Sequence, residues 1–221
     1  MGEVLASLLE GIGAQLAHFH GGISALSSLA QPPWWANALG LLGLWTGFAG
    51  ALAYLVRRQV LSFPSSLWRV QLSDVLFIVV GSAAQLLIDL AYRPFHLHTL
   101  NSPVKHLFGA SHGASFVLIG IMTTLLAPIM EELLFRGAVY RGLQHYLPGS
   151  ASVVAWTSTV ASAALFALAH GEPLQFGGLF ALGLLLAWLV KKTGRLTPSI
   201  ITHVSFNGVA LIALSLQRAG H

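Results

Sequence analysis

The sequence predicts an all-α membrane protein, a polytopic helical bundle of six transmembrane helices preceded by an N-terminal amphipathic helix. Hydrophobic residues make up 55% of its 221 positions and charged residues 8%, and the mean hydropathy is +0.75. A water-soluble domain of this length does not tolerate that balance. Apolar runs close to the roughly 20 residues needed to cross a bilayer recur along the chain. Its eleven Lys and Arg residues punctuate those runs instead of clustering, as expected of residues that fix orientation.

Residues 1–35 read as an N-terminal interfacial segment and residues 36–221 as a single transmembrane helical domain. Between 4 and 30, apolar positions alternate with Glu10, Gln15, His18 and His20. That pattern suits an amphipathic helix lying in the interface, with a poor transmembrane helix as the alternative. Pro32, Pro33, Trp34 and Trp35 form a turn and an aromatic anchor. The first clear span runs from about Ala36 to Val56, where Gly40, Gly43, Gly47 and Gly50 recur at helical spacing and mark a close helix contact. A second span covers about Leu72 to Tyr92. A loop bearing His96, His98, His106 and His112 leads into a long helix from about Ala114 to Tyr146, broken or kinked at Pro128. After the Pro148-Gly149 turn, spans follow at about Ser152 to Ala169, Leu174 to Val190 and Pro198 to Leu216. Asp74 and Asp89 read as span-end or interhelical polar groups, and Gly177, Gly178 and Gly183 as packing sites.

Arg57, Arg58, Arg69, Arg136, Arg141, Lys191, Lys192 and Arg195 all fall on one side of such a bundle, leaving Arg93, Lys105 and Arg218 opposite. The positive-inside rule makes the first side cytoplasmic and puts both termini on the other. The expected location is a cell (inner) membrane. The formal charge of +4 comes from these scattered residues and gives no reason to expect nucleic-acid binding. With no cysteine there is no disulfide, thiolate metal site or cysteine nucleophile. The N-terminus carries Glu3 and Glu10 and lacks a basic n-region, so it does not read as a signal peptide.

Against this apolar background, Glu131 and Glu132 stand together in the third span, two of only seven acidic residues. A carboxylate at the centre of a bilayer helix costs about 2.5–3.5 kcal/mol on insertion scales, so such residues usually face a protein interior or a wet cavity. Glu132 and Arg136 share a helix face, with the acid N-terminal to the base, the favourable order for an ion pair. Glu131 is rotated about 100° away and has Leu134 and Phe135 at its own i+3 and i+4 positions, which leaves it the free carboxylate. The competing reading of the trio is a charge network that locks helices together.

Three more polar groups stand on later spans. His170 closes the fourth, one turn after Phe166, and His203 and Asn207 share a face of the sixth. Counted at a 1.5 Å rise from the Pro148-Gly149 turn, Glu131 lies about 27 Å along one helix and His170 about 32 Å along its antiparallel partner. His203 lies only about 14 Å from the Lys191 to Arg195 loop, so the 136–152 hairpin must protrude by about a dozen ångströms for all three to converge. Glu131 and His170 could then hold and deprotonate a water, while His203 and Asn207 donate to the oxyanion of a tetrahedral intermediate.

Glu131-Glu132-x-x-x-Arg136, Phe166-x-x-x-His170 and His203-x-x-x-Asn207, in order on successive spans, resemble the three signature motifs of the CAAX-protease and bacteriocin-processing (CPBP, or ABI) family of intramembrane glutamic endopeptidases. The resemblance covers about residues 115–216. It implies a multi-helix membrane fold with the active site sunk below the cytoplasmic face. It further implies water activation by Glu131 and His170, and an oxyanion site at His203 and Asn207. Eukaryotic members cleave prenylated CAAX tails, whereas many short members act on other peptides, so the resemblance does not name a substrate.

The expected partners are a peptide or protein substrate with a membrane-associated or C-terminal segment and the lipid bilayer, with no nucleic acid. No cofactor is expected. The nearest rival is a zinc-dependent hydrolase using Glu131, His170 and His203 as ligands, although no HExxH is present and Asn207 would have no role. A rival from another class is a non-enzymatic membrane protein for peptide binding, immunity or transport. Transport usually leaves an internal repeat or paired broken helices, and Pro128 is a single break. The histidines of the 93–113 loop could bind a metal, but their irregular spacing favours solvated residues.

Overall fold

In the computed structural model the described residues are 2–17, 26, 29, 31–97, 100, 102–109 and 111–220. His18, His20 and His98 lie outside them. Eight helices matter here: α1 (Gly2–Leu16), α2 (Trp34–Arg57), α3 (Leu76–Tyr92), α4 (Ser102–Phe108), α5 (Gly113–Tyr146), α6 (Ala151–Ala169), α7 (Phe176–Thr193) and α8 (Thr197–Ala219). No strand occurs among the described residues. Six helical segments are long and apolar enough to cross a membrane: α2, 72–95, α5, α6, α7 and α8. The six expected spans are therefore present, and the protein is an integral, multi-pass membrane protein. Its spans leave large apolar side chains uncovered, such as Val79, Leu86 and Leu168, because lipid takes the place of a protein partner there.

The chain divides into two compact units, residues 1–58 with 98–127 and residues 59–97 with 128–221. In the first, α1 packs along α2. A Cβ at Gly43 would overlap the Ala6 backbone, and one at Gly40 would meet the Glu10 carboxylate. Of the glycine face read from the sequence as a close helix contact, Gly40 and Gly43 are thus where α1 lies, whereas a Cβ at Gly50 would meet open space. Glu10 is partly buried there, and this burial raises its carboxyl above the ordinary carboxylate range.

Pro128 does not interrupt α5. A π-type turn at Met122–Leu126 precedes it, in which the Ala127 N–H bonds to the Met122 carbonyl, and a second π stretch spans Leu133–Tyr140. Proline removes one backbone donor, and the wider turn lets the ladder continue past the gap.

The second unit is built from the C-terminal part of α5 with α3, α6, α7 and α8, and its helices approach closely where side chains are small. A Cβ at Gly81 of α3 would overlap the Thr202 carbonyl of α8, and one at Gly183 of α7 would come within 2.9 Å of the Ala163 Cα of α6. Gly178 packs on Ile88 and Tyr92 and donates its N–H to the Tyr92 hydroxyl at 2.9 Å. Phe135, Phe166, Leu182 and Leu186 form the apolar cluster beside the site. Asp74 is buried and accepts two hydrogen bonds from Arg195, at 2.7 and 2.8 Å, so the start of the second span is tied to the start of α8. This pairing holds the Arg195 guanidinium above its usual range. Asp89 accepts from Gln85 one turn earlier in α3.

Candidate functional site: an acid pair and two imidazoles

Glu131 and Glu132 enter the site from α5 just ahead of its π stretch, an irregularity that often accompanies functional positions. The two carboxylates meet different surroundings. Glu132 is fully buried and its oxygens are all engaged. Oε1 accepts from Arg136 Nη1 at 2.9 Å and faces His203 Nδ1 at 3.2 Å, and Oε2 accepts a short hydrogen bond from the Ser199 hydroxyl. Arg136, equally buried, uses Nη2 to bond the Gly183 carbonyl of α7 at 3.0 Å. The i, i+4 pairing read from the sequence is present, and it sits inside a larger network.

Glu131 keeps a 20% exposed side chain, and Oε2 lies 3.7 Å from His203 Nε2. That separation is an electrostatic contact and too long for a hydrogen bond. Leu134 and Phe135 occupy its i+3 and i+4 positions, Arg136 of its own helix acts on it through charge, and an imidazole from α8 stands opposite. His203 is itself buried and bridges the acid pair, one ring nitrogen toward each carboxylate.

His170 caps the C-terminus of α6. Its Nδ1 stands 2.8 Å from the Phe166 carbonyl. A carbonyl only accepts, so Nδ1 carries the hydrogen and Nε2 keeps the lone pair of the neutral ring, a suitable acceptor for a water proton. Phe166 joins the parts. Its ring meets His170 edge-on at 4.7 Å and His203 at 5.5 Å, and the Arg136 guanidinium lies over its face at 4.6 Å. Phe166 is fully buried, so it fixes the separation of the two imidazoles as a rigid spacer. Asn207 follows His203 by one turn on α8 and is partly buried.

The structure thus brings Glu131, Glu132, Arg136 and His203 into direct contact, and sets His170 on the same Phe166 ring as His203. Among the described residues, no three His, Asp or Glu side chains are grouped so as to hold a metal ion. Ser199 was not singled out from the sequence. It lies one turn before His203 on the same face, but serine and threonine also occur at 202 and 205 of that helix, and spacing alone does not separate them.

The fold and this site define a class: a polytopic membrane protein with a carboxylate and two imidazoles gathered between apolar helices. Residues 113–209 match the family described as type II CAAX prenyl endopeptidase, Rce1-like, a segment that contains all three motifs. Over 89 residues the chain is 29% identical to the membrane-embedded CAAX protease MroQ of Staphylococcus aureus (strain USA300), covering 40% of this chain and 36% of that protein. The chain therefore spans little more than a third of the curated relative it matches. No solved structure matches. The segment that carries the three motifs is thus the part of the chain that is similar to CAAX endopeptidases.

Proposed function

We propose that the protein is a membrane-embedded endopeptidase that hydrolyses a peptide bond near the cytoplasmic membrane face with an activated water. The observation that carries this reading is the unequal treatment of the acid pair. Glu132 is saturated by Arg136, Ser199 and His203, whereas Glu131 keeps an open side. A carboxylate with open coordination space can accept a water proton, and a saturated one cannot.

In this mechanism Glu131, assisted by Nε2 of His170, takes a proton from water as the hydroxide oxygen bonds to the scissile carbonyl carbon. The carbonyl oxygen becomes an oxyanion that accepts hydrogen bonds from His203 and Asn207. The carbon–nitrogen bond then breaks, and the proton held at the Glu131 and His170 pair passes to the departing amine. Atoms balance without an acyl-enzyme, so no serine or threonine nucleophile is needed. Similarity of residues 113–209 to a family described as CAAX prenyl endopeptidase supports a peptide substrate with a membrane-associated end.

The test compares peptides released from membranes carrying the wild-type protein with those from membranes carrying Glu131→Gln. Release of a defined peptide by the wild type alone is the expected result. If every released peptide persists in the variant, the reading fails.

A further inference from the structure

We infer that Glu132 and Ser199 are positioning residues for His203, fixing which ring nitrogen carries its proton and where the other one points; the inference rests on the endopeptidase reading above. Glu132 sits beside the buried guanidinium of Arg136 at 2.9 Å and accepts from Ser199 on its second oxygen. A carboxylate held in this way only accepts hydrogen bonds, so the His203 Nδ1 that faces it at 3.2 Å must be the donor. With Nδ1 tied, the ring cannot turn over without losing that bond, and Nε2 is directed toward Glu131. The logic is that of an acid that orients a catalytic imidazole without itself reacting.

Ser199 and His203 are one turn apart on α8, so the hydroxyl and the imidazole grip Glu132 together. Arg136 fixes the same carboxylate from α5 and is anchored to the Gly183 carbonyl of α7. The edge of Phe166 closes a further side of the imidazole, at 5.5 Å and an interplanar angle of 78°. Groups from α5, α6 and α7, with Ser199 of α8 itself, thereby set the orientation of one ring. The charged and titratable groups around it are Glu131, Glu132 and Arg136 from α5 and His170 across Phe166 from α6, while α7 contributes the Gly183 carbonyl through Arg136. A chemical consequence follows for the oxyanion. Because the first proton is held on Nδ1, Nε2 can donate only as the second N–H of an imidazolium; in the neutral ring it accepts.

The experiment uses the purified full chain and an internally quenched form of the peptide whose release depends on Glu131. Ser199→Ala is expected to lower kcat about tenfold with KM unchanged, the effect of one lost hydrogen bond to a charged group. Ser199→Thr, which keeps the hydroxyl, is expected to retain more turnover than Ser199→Val, which has the same shape without it. In a His203→Ala background Ser199→Ala should change the residual turnover by less than about twofold, because its effect passes through the imidazole. Wild-type kcat in Ser199→Ala, equal losses in both backgrounds, or equal activity of the Thr and Val variants overturns the inference. Glu131→Gln in the same assay separates the two claims. Cleavage that survives it sinks the endopeptidase reading, whereas cleavage lost there but untouched in Ser199→Ala sinks only the positioning role.

Discussion

Replacing Glu132 with glutamine removes one negative charge from a place that water does not reach. Both Glu132 and Arg136 have 0% exposed side chains, and their ion pair is 2.9 Å long. Breaking a buried pair by removing one partner costs about 3–5 kcal/mol, because the remaining charge is left uncompensated. For a chain of 150–250 residues each kcal/mol moves Tm by roughly 2–4 °C, so Glu132→Gln should melt about 6–20 °C below wild type. Glu131→Gln makes a sharp contrast. Its side chain is 20% exposed and faces His203 at 3.7 Å, and such a partly solvated pair contributes about 0–1 kcal/mol. The assay is thermal unfolding of the detergent-solubilised protein followed by size exclusion, with peptide release measured on the same preparations. The expected pattern is an unstable Glu132→Gln and a stable, inactive Glu131→Gln. Removing both charges in Glu132→Leu with Arg136→Met should recover part of the stability, since an apolar pair avoids the buried charge. A Glu132→Gln protein that melts within about 2 °C of wild type refutes the electrostatic reasoning. A Glu131→Gln protein that keeps its activity refutes the assignment of roles.

His203→Ala and Asn207→Ala should each lower turnover by about 10² to 10³ with little change in substrate binding, the cost of one oxyanion donor. Metal analysis of the same proteins checks the rival, because zinc that is stoichiometric in the wild type and lost in His203→Ala would point to a metal site. Gly81→Ala places a methyl group on the Thr202 carbonyl, so it should push α3 from α8 and lower both Tm and activity; wild-type behaviour would show that this contact is not tight. Glu10 is raised by burial, so its favourable contribution is complete below its ordinary pKa of 4.5 and is lost as pH rises through the raised value. Glu10→Gln should remove that part of the pH dependence of the melting temperature. A cysteine at Ser66 or Thr193 should react with an impermeant reagent only from the cytoplasmic side and one at Ser102 only from the other, and the reverse result would invert the topology.

Relations inside one helix were legible because the helical period sets them. The six spans follow from hydropathy and length, and the Glu132 to Arg136 pair follows from a separation of four residues. Sequence likewise put Glu131 on a different face from that pair, and it placed His203 and Asn207 on one stripe. The run through Pro128 was less legible, because a proline reads as a break unless the chain can widen its ladder, as the π-type turn at Met122–Leu126 does.

Relations between helices were decided only by the tertiary structure. Nothing local couples Glu132 to Ser199 and His203, 67 and 71 positions away, or Asp74 to Arg195, 121 positions away. These contacts depend on the rotation and depth of whole helices, which are set where backbones touch at Gly81 against Thr202 and Gly183 against Ala163. The period of a helix states which residues share a face, and only packing between helices states which faces meet. The sequence therefore determined the membrane fold and the set of polar groups, while packing decided that Glu132 would be enclosed, Glu131 left open, and His203 held between them.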